Sequence, residues 1–162
     1  MTTNTRRPIQ EEIGQNQPFE SSRHEALIAL LRTADMVRRC IADGLSLHGI
    51  TPQQYNVLRI LRGAGENGVP TLTIADRMVE RSPGVTRLLD RLEGKGWARR
   101  RRCDEDRRRV YCEITDTGLE LLMTLDPVAR RSGLMAMAGV TDPEVAGLLE
   151  ALAGIRSGMS GS

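Results

Sequence analysis

The sequence predicts a mainly α protein with one small β-hairpin, and three observations carry that expectation. Apolar residues recur at steps of three and four in segment after segment, while strict alternation appears only around the acidic stretch at 104–106. Helix-starting punctuation, a Ser or Thr followed by Pro or by Glu or Gln three residues on, precedes several of those segments. Aromatic residues are scarce (Phe19, Tyr55, Trp97 and Tyr111 are the full set), so the core must be aliphatic.

A chain of 162 residues suits a single domain that buries about two-thirds of its unfolded surface. Its 40% apolar and 27% charged residues are ordinary for a soluble globular protein. No apolar run approaches the roughly 20 residues of a membrane span. The opening MTTNTRRPIQEEIGQNQPFE lacks the apolar stretch of a signal peptide. A cytoplasmic protein with no membrane partner is therefore expected. Three cysteines, an odd number, argue against a disulfide framework.

Residues 1–18 are polar and aperiodic and read as a flexible arm ahead of one domain spanning 19–157. From Phe19 onward, Leu27, Leu30, Leu31, Ala34, Val37, Ile41 and Leu45 form one apolar helical face, which stops near Leu47–Gly49. GITPQQYNVLRILRGAG opens the next helix: Thr51 caps it, Pro52 takes the first helical position, and Gln54 completes a capping box. Tyr55, Leu58 and Leu61 make its buried face, Gly63–Gly65 end it, and ENGVP reads as a loop. TLTIADRMVE is a short helix with Ile74, Ala75 and Met78 on one side. RSPG then breaks the chain. Ser82 as cap and Pro83 at the first position open a helix with Val85, Leu88, Leu89 and Leu92 facing inward. Thr86, Arg87, Asp90 and Arg91 are left outside, and Gly94 and Gly96 end the helix. In WARRRRCDEDRRRVYCEIT, alternation on either side of the acidic tip predicts the hairpin, with Val110, Cys112 and Ile114 in one phase. Thr115 caps a long helix carrying Leu119, Leu122 and Met123, kinked at Pro127 and continuing to Val140. TDPE at 141–144 is another capping box, Thr141 with Glu144, and it opens a last helix striped by Leu148, Leu149, Leu152 and Ile155. Residues 158–162 read as a loose tail.

Net charge is only +2, but eleven cations face five acids between Arg81 and Arg109. That balance suits either a phosphate-binding surface or an ordinary solvated charged face. CDEDRRRVYC (103–112) also raises the question of a metal. C-x8-C is not a zinc spacing, and His24 and His48 are far off in sequence, so no metal site is expected. With no Gly-rich phosphate loop and no catalytic His/Asp set, neither an enzyme nor a cofactor is expected. Cys112 falls in the apolar phase of its strand and reads as a core residue. Cys103, among arginines, would be the more reactive thiol.

A short helix, a tight turn, an amphipathic helix with an arginine-bearing outer face and a basic hairpin make a winged helix-turn-helix, here over 51–115. An α-helix fits the major groove of B-DNA. The N-terminal half of this one would offer Ser82, Thr86 and Arg87 to base edges, with Arg91 on the same face. A hairpin beside it can lay an arginine into the adjoining minor groove.

LLDRLEGKGW (88–97), followed by DEDRRRVYCEITDTG (104–118), resembles the MarR-type transcriptional regulators, named for multiple antibiotic resistance. That family shows D-R-L-x-x-K-G at the end of its recognition helix, D-x-D-R-R in the wing, and L/I-T-x-x-G at the start of the next helix. Asp90-Arg91-Leu92, Lys95-Gly96, Asp104/Asp106-Arg107-Arg108 and Ile114-Thr115 with Gly118 match it in order and spacing. GITPQQYNVLRIL is also similar to the family's second helix, and the resemblance covers about residues 20–157.

The resemblance implies that Arg108 is the wing-tip arginine that enters the minor groove and that Asp106 orients its guanidinium. Arg107, beside it, also faces DNA, and Arg99–Arg102 and Arg109 would be phosphate contacts. It further implies a homodimer built from the terminal helices at 19–48 and 116–157, to which the long stripes on 26–45 and 144–156 point independently. A two-fold dimer expects a pseudo-palindromic operator with half-sites about one helical turn (~34–36 Å) apart. Relatives often bind small aromatic ligands near the junction of the first two helices, where His48 and Tyr55 lie. The plainer reading of those two is a surface histidine and a core tyrosine. The function expected is a sequence-specific double-stranded DNA-binding repressor modulated by a small aromatic or phenolic effector. Two other readings stay open. One is a winged-helix protein-interaction module without DNA binding, which would not need a basic wing. The other is a thiol-based redox regulator using Cys103 or Cys40, although Cys40 lies toward the far end of its helix rather than near the start, where oxidant-sensing relatives carry theirs.

Overall fold

The computed structural model describes residues 7–80, 84–102 and 109–160. The order is α1 (Ile9–Glu12), α2 (Ser22–Ser46), α3 (Pro52–Ala64), a 3-10 turn (Gly65–Asn67), β1 (Val69–Pro70), α4 (Thr71–Arg77), α5 (Val85–Gly94), β2 (Ala98–Arg102), β3 (Val110–Ile114), α6 (Asp116–Met137) and α7 (Asp142–Ser160).

α3 is central because it carries the most complete apolar face. Its start is the reciprocal box expected from sequence: Thr51 Oγ1 accepts the Gln54 N–H at 3.2 Å, and Gln54 Oε1 accepts the Thr51 N–H at 3.1 Å. Tyr55, Val57, Leu58 and Leu61 are buried on it, and it touches α2, α4, α5, α6 and β3. Leu45, Ile74, Leu89, Leu92, Leu122 and Leu125 complete an aliphatic core. Each such side chain contributes about 1.5–3 kcal/mol by leaving water.

The sheet has the order β1-β3-β2 and is antiparallel throughout. The hairpin register sets Arg100 opposite Cys112 and Arg99 opposite Glu113. Ala98 and Cys112 therefore share the inward face, and both are buried. ENGVP, expected as a loop, supplies a third strand, with Val69 paired to Cys112 and Pro70 to Tyr111. Two residues are too few to show alternation, and a proline is tolerated on an edge strand.

Several boundaries differ from expectation. α5 begins at Val85 with Gly84 at its N-cap, two residues later than the Ser82–Pro83 punctuation indicates; Ser82 itself lies outside the described residues. α6 continues through Pro127 to Met137, so the missing N–H costs one ladder bond without ending the helix. Within the expected arm, residues 9–12 form a helical turn against α2. α7 extends to Ser160, into the expected tail. At the start of α7, Glu144 Oε2 accepts both the N–H and the hydroxyl of Thr141 at 2.8 Å.

α2 packs along α6. The crossing is close at Gly44, where a Cβ would come within 2.9 Å of Ser132 Oγ. α7 buries none of its residues. Leu149 at 61%, Leu27 at 52% and Leu31 at 56% exposure show that the α7 stripe and the N-terminal half of the α2 stripe are left largely uncovered within one chain, while Leu45 and Ile41 at the other end of α2 join the core.

Candidate nucleic-acid interface

α5 presents the outward face read from its sequence. Val85, Leu89 and Leu92 are buried, while Thr86, Arg87, Asp90 and Arg91 are exposed. The acids on this helix are occupied from the wing. Arg100 of β2 donates to Thr86 O at 3.1 Å, to Glu93 Oε2 at 2.9 Å and to Asp90 Oδ1 at 2.7 Å. Its own N–H reaches Glu93 Oε1 at 3.1 Å. Burial pulls the Arg100 guanidinium down, but the bond to Asp90 and the charges of Asp90 and Glu93 outweigh it and raise its pKa. Arg87 and Arg91 form no ion pair among the described residues. The helix therefore shows outward two cations whose local counter-charge is taken up by Arg100.

The C-terminal end of α5 is fixed at two points. Lys95 Nζ donates to Gly49 O at 2.7 Å and sits 4.5 Å from the Trp97 ring centre. Gly96 O accepts from Thr115 Oγ1 at 2.6 Å and Thr117 Oγ1 at 2.8 Å, which ties it to the first turn of α6. Gly118 in that turn cannot carry a side chain: a Cβ would collide with Trp97 O and lie 2.8 Å from Ile114 Cγ1.

Several of the wing arginines at 99–102 also carry ion pairs inside the protein. Arg99 Nε and Arg101 Nε each bond Glu113 at 2.8 Å, and Glu113 is buried. The Arg101 bond holds the Glu113 carboxyl below its ordinary range; burial opposes this and Arg99 adds to it. Arg99, Arg100 and Arg101 thus hold the wing together, and Arg101 also lies over Tyr111. The cross-strand register is the one sequence signal that could have exposed the Glu113 pairing. Asp106, Arg107, Arg108 and Cys103 lie outside the described residues. Cys112 is buried, as its phase indicated, and burial pushes its thiol up.

Tyr55 and His48 are not brought together. His48 is exposed beyond the end of α2 and does not line either cavity that Tyr55 borders. Tyr55 is buried, and its hydroxyl donates to Asp126 Oδ1 at 2.8 Å, while Arg62 holds Asp126 Oδ2 at 2.6 Å. Burial first, then the Asp126 bond, push the Tyr55 phenol up to about 12. One edge of Tyr55 borders an apolar cavity of about 330 Å³ between α2, α3 and the segment after α4, with Val37, Ile41 and Met78 in its walls. Asp126, 71 residues from its tyrosine, gave no local sequence signal. No cluster of potential metal ligands occurs among the described residues, and none of their helices is long and apolar enough to cross a membrane.

Comparison with known proteins agrees with this geometry. The sequence model of the MarR family matches residues 50–110, from the turn before α3 to the start of β3. The HTH-type transcriptional regulator TtmR of Methylorubrum extorquens (strain PA1) is 32% identical over 151 residues, covering 93% of this chain and 75% of that protein. A MarR transcription factor from Planctomyces limnophilus superposes with a TM-score of 0.66 at 35% identity, over 84% of this chain and 98% of that one. Sco3205, a MarR family transcriptional regulator from Streptomyces coelicolor solved in complex with DNA, shares the fold with a TM-score of 0.76 at 22% identity, over 88% and 92% of the two chains.

Proposed function

Because the chain belongs to the MarR family of transcriptional regulators, we propose that it is a cytoplasmic homodimeric repressor of a pseudo-palindromic duplex operator, and not an enzyme. The observation that carries this reading is the outward face of α5, where Thr86, Arg87 and Arg91 project while Arg100 takes up Asp90 and Glu93. Ser82 joins them in base recognition. Arg107 and Arg108 supply the minor-groove contact, with Asp106 orienting Arg108. The exposed N-terminal part of the α2 stripe and the exposed stripe of α7 supply the dimer interface and set the two recognition helices one helical turn apart. A small aromatic effector in the cavity beside Tyr55 loosens the dimer from DNA; His48 has no part in that cavity. A differential affinity of about 1–3 kcal/mol between the two helix spacings suffices for such control.

Selection of bound duplexes from a random pool tests the reading. The expected product is an inverted repeat whose half-site centres are about 10–10.5 base pairs apart. Arg87→Ala should shift base preference at one position by roughly 1–3 kcal/mol. Recovery of unrelated sequences would leave only a basic surface. That result would favour the protein-interaction reading.

A further inference from the structure

Val79 and Glu80, which follow α4 on the way to the recognition helix, are held from outside. Asn56 Oδ1 accepts the backbone N–H of Val79 at 2.9 Å. Gln53 Nε2 donates to Glu80 Oε2 at 3.1 Å, and Arg38 Nη1 lies 3.7 Å from Glu80 Oε1. Gln53 and Asn56 stand three apart on α3 and so share one face; Arg38 comes from α2. Met78 is anchored in the core, but Val79 is 87% exposed, so beyond Met78 apolar burial does not fix the chain. At Val79 and Glu80 the polar contacts do. Five residues beyond Glu80 in the chain, α5 begins.

The same segment closes the cavity. Met78, Val79 and Glu80 make one wall, facing Ile41 of α2, Tyr55 of α3 and Ala129 of α6. Whatever occupies that space meets the chain that leads into the recognition helix before it meets the helix itself. The contacts are also of the kind that set position rather than stability. Arg38 and Glu80 are 55% and 37% exposed along their side chains, and ion pairs that wet contribute little to folding.

We infer that Asn56, Gln53 and Arg38 are positioning residues for DNA binding: they clamp Val79–Glu80, and through that clamp the filling of the cavity changes operator affinity. This rests on the DNA-binding reading above. The clamp gives the effector site and the DNA site one shared element, as coupling requires.

The test measures fluorescence anisotropy of the full-length protein with its selected duplex and with a scrambled duplex. Asn56→Leu keeps the branched side-chain shape and removes the acceptor for Val79; Glu80→Gln removes the charge that Arg38 meets. Each is expected to lose about five- to twentyfold in affinity for the selected duplex. Affinity for the scrambled duplex and the melting temperature should stay close to wild type. A merely structural role would instead lower melting temperature and weaken both duplexes alike. Ala129→Leu fills the cavity from α6 without touching the clamp, and Val37→Leu does so from α2 should the first fail to fold. Filling is expected to change selected-duplex affinity severalfold in the wild-type background and to have no effect alongside Asn56→Leu. Full selected-duplex affinity in Asn56→Leu, or a filling effect of equal size in both backgrounds, overturns the inference. A wild-type protein that does not distinguish the two duplexes overturns the DNA-binding reading as well, and the wild-type measurement alone identifies that case.

Discussion

Replacing Arg100 by methionine removes a guanidinium while keeping most of the stem that packs between wing and helix. The lost contacts are Thr86 O at 3.1 Å, Asp90 at 2.7 Å and Glu93 at 2.9 Å. A shielded charge-assisted bond is worth about 1.5–3 kcal/mol. Here Asp90 and Glu93 are 55% and 42% exposed, so water and salt screen most of that. About 1–2 kcal/mol in total remains, which lowers the melting temperature of a chain this size by roughly 2–8 °C. Operator affinity should suffer more than stability. Two carboxylates then stand unpaired beside Arg87 and Arg91, in the path of the phosphate backbone. A loss of about tenfold at low salt is expected, narrowing as salt screens the acids. Thermal melts and an anisotropy salt series on the same preparation give both quantities. Unchanged melting and unchanged affinity would show that Arg100 does not hold α5. A stability loss with wild-type affinity at every salt concentration would refute the idea that its pairing clears the DNA-facing surface.

Gly118→Ala should cost about 3 kcal/mol or more in urea unfolding, because the new methyl meets the backbone oxygen of Trp97 rather than a side chain that can turn aside. Gly63→Ala, with nothing near its Cβ on α3, serves as the neutral or slightly stabilised control, and equal behaviour of the two variants would contradict the close approach at Gly118. In Tyr111→Phe, phenolate absorbance reports Tyr55 alone and should rise with a midpoint near about 12. Since folding raises this pKa, the associated stabilisation is present below the ordinary phenol value of about 10 and is lost as pH climbs from there through the folded value; a midpoint near 10 would remove the Asp126 bond from the account. Leu30→Glu with Leu149→Glu should give a monomer in sedimentation that binds operator poorly, and a surviving dimer would place the interface elsewhere.

The parts of the fold legible in sequence were those set by local chemistry. Thr51 and Gln54 announced α3 because both halves of a capping box lie within one turn. Val85, Leu89 and Leu92 announced the inner face of α5, and with it the outward placement of Thr86, Arg87 and Arg91. Alternation assigned Cys112 to the core. What sequence did not disclose was set by partners distant along the chain. β1 exists because Val69 finds Cys112, and two residues have no period of their own. Arg99–Arg101 read as a run of available cations, yet register gives Arg99 and Arg101 a shared Glu113, and packing gives Arg100 the acids of α5. Tyr55 and His48 are close along the chain but are separated by the turn between α2 and α3. The partner of Tyr55, Asp126, comes from α6.

The central claim is specific recognition of duplex DNA by the face of α5 and its wing. Anisotropy of the purified protein against the duplex upstream of its own gene, and against a scrambled duplex of equal length, tests it across a salt series. Tight binding to the upstream duplex that persists near physiological salt is expected, with weak and steeply salt-dependent binding to the scrambled one. Equal, weak binding to both, vanishing together as salt rises, would contradict it.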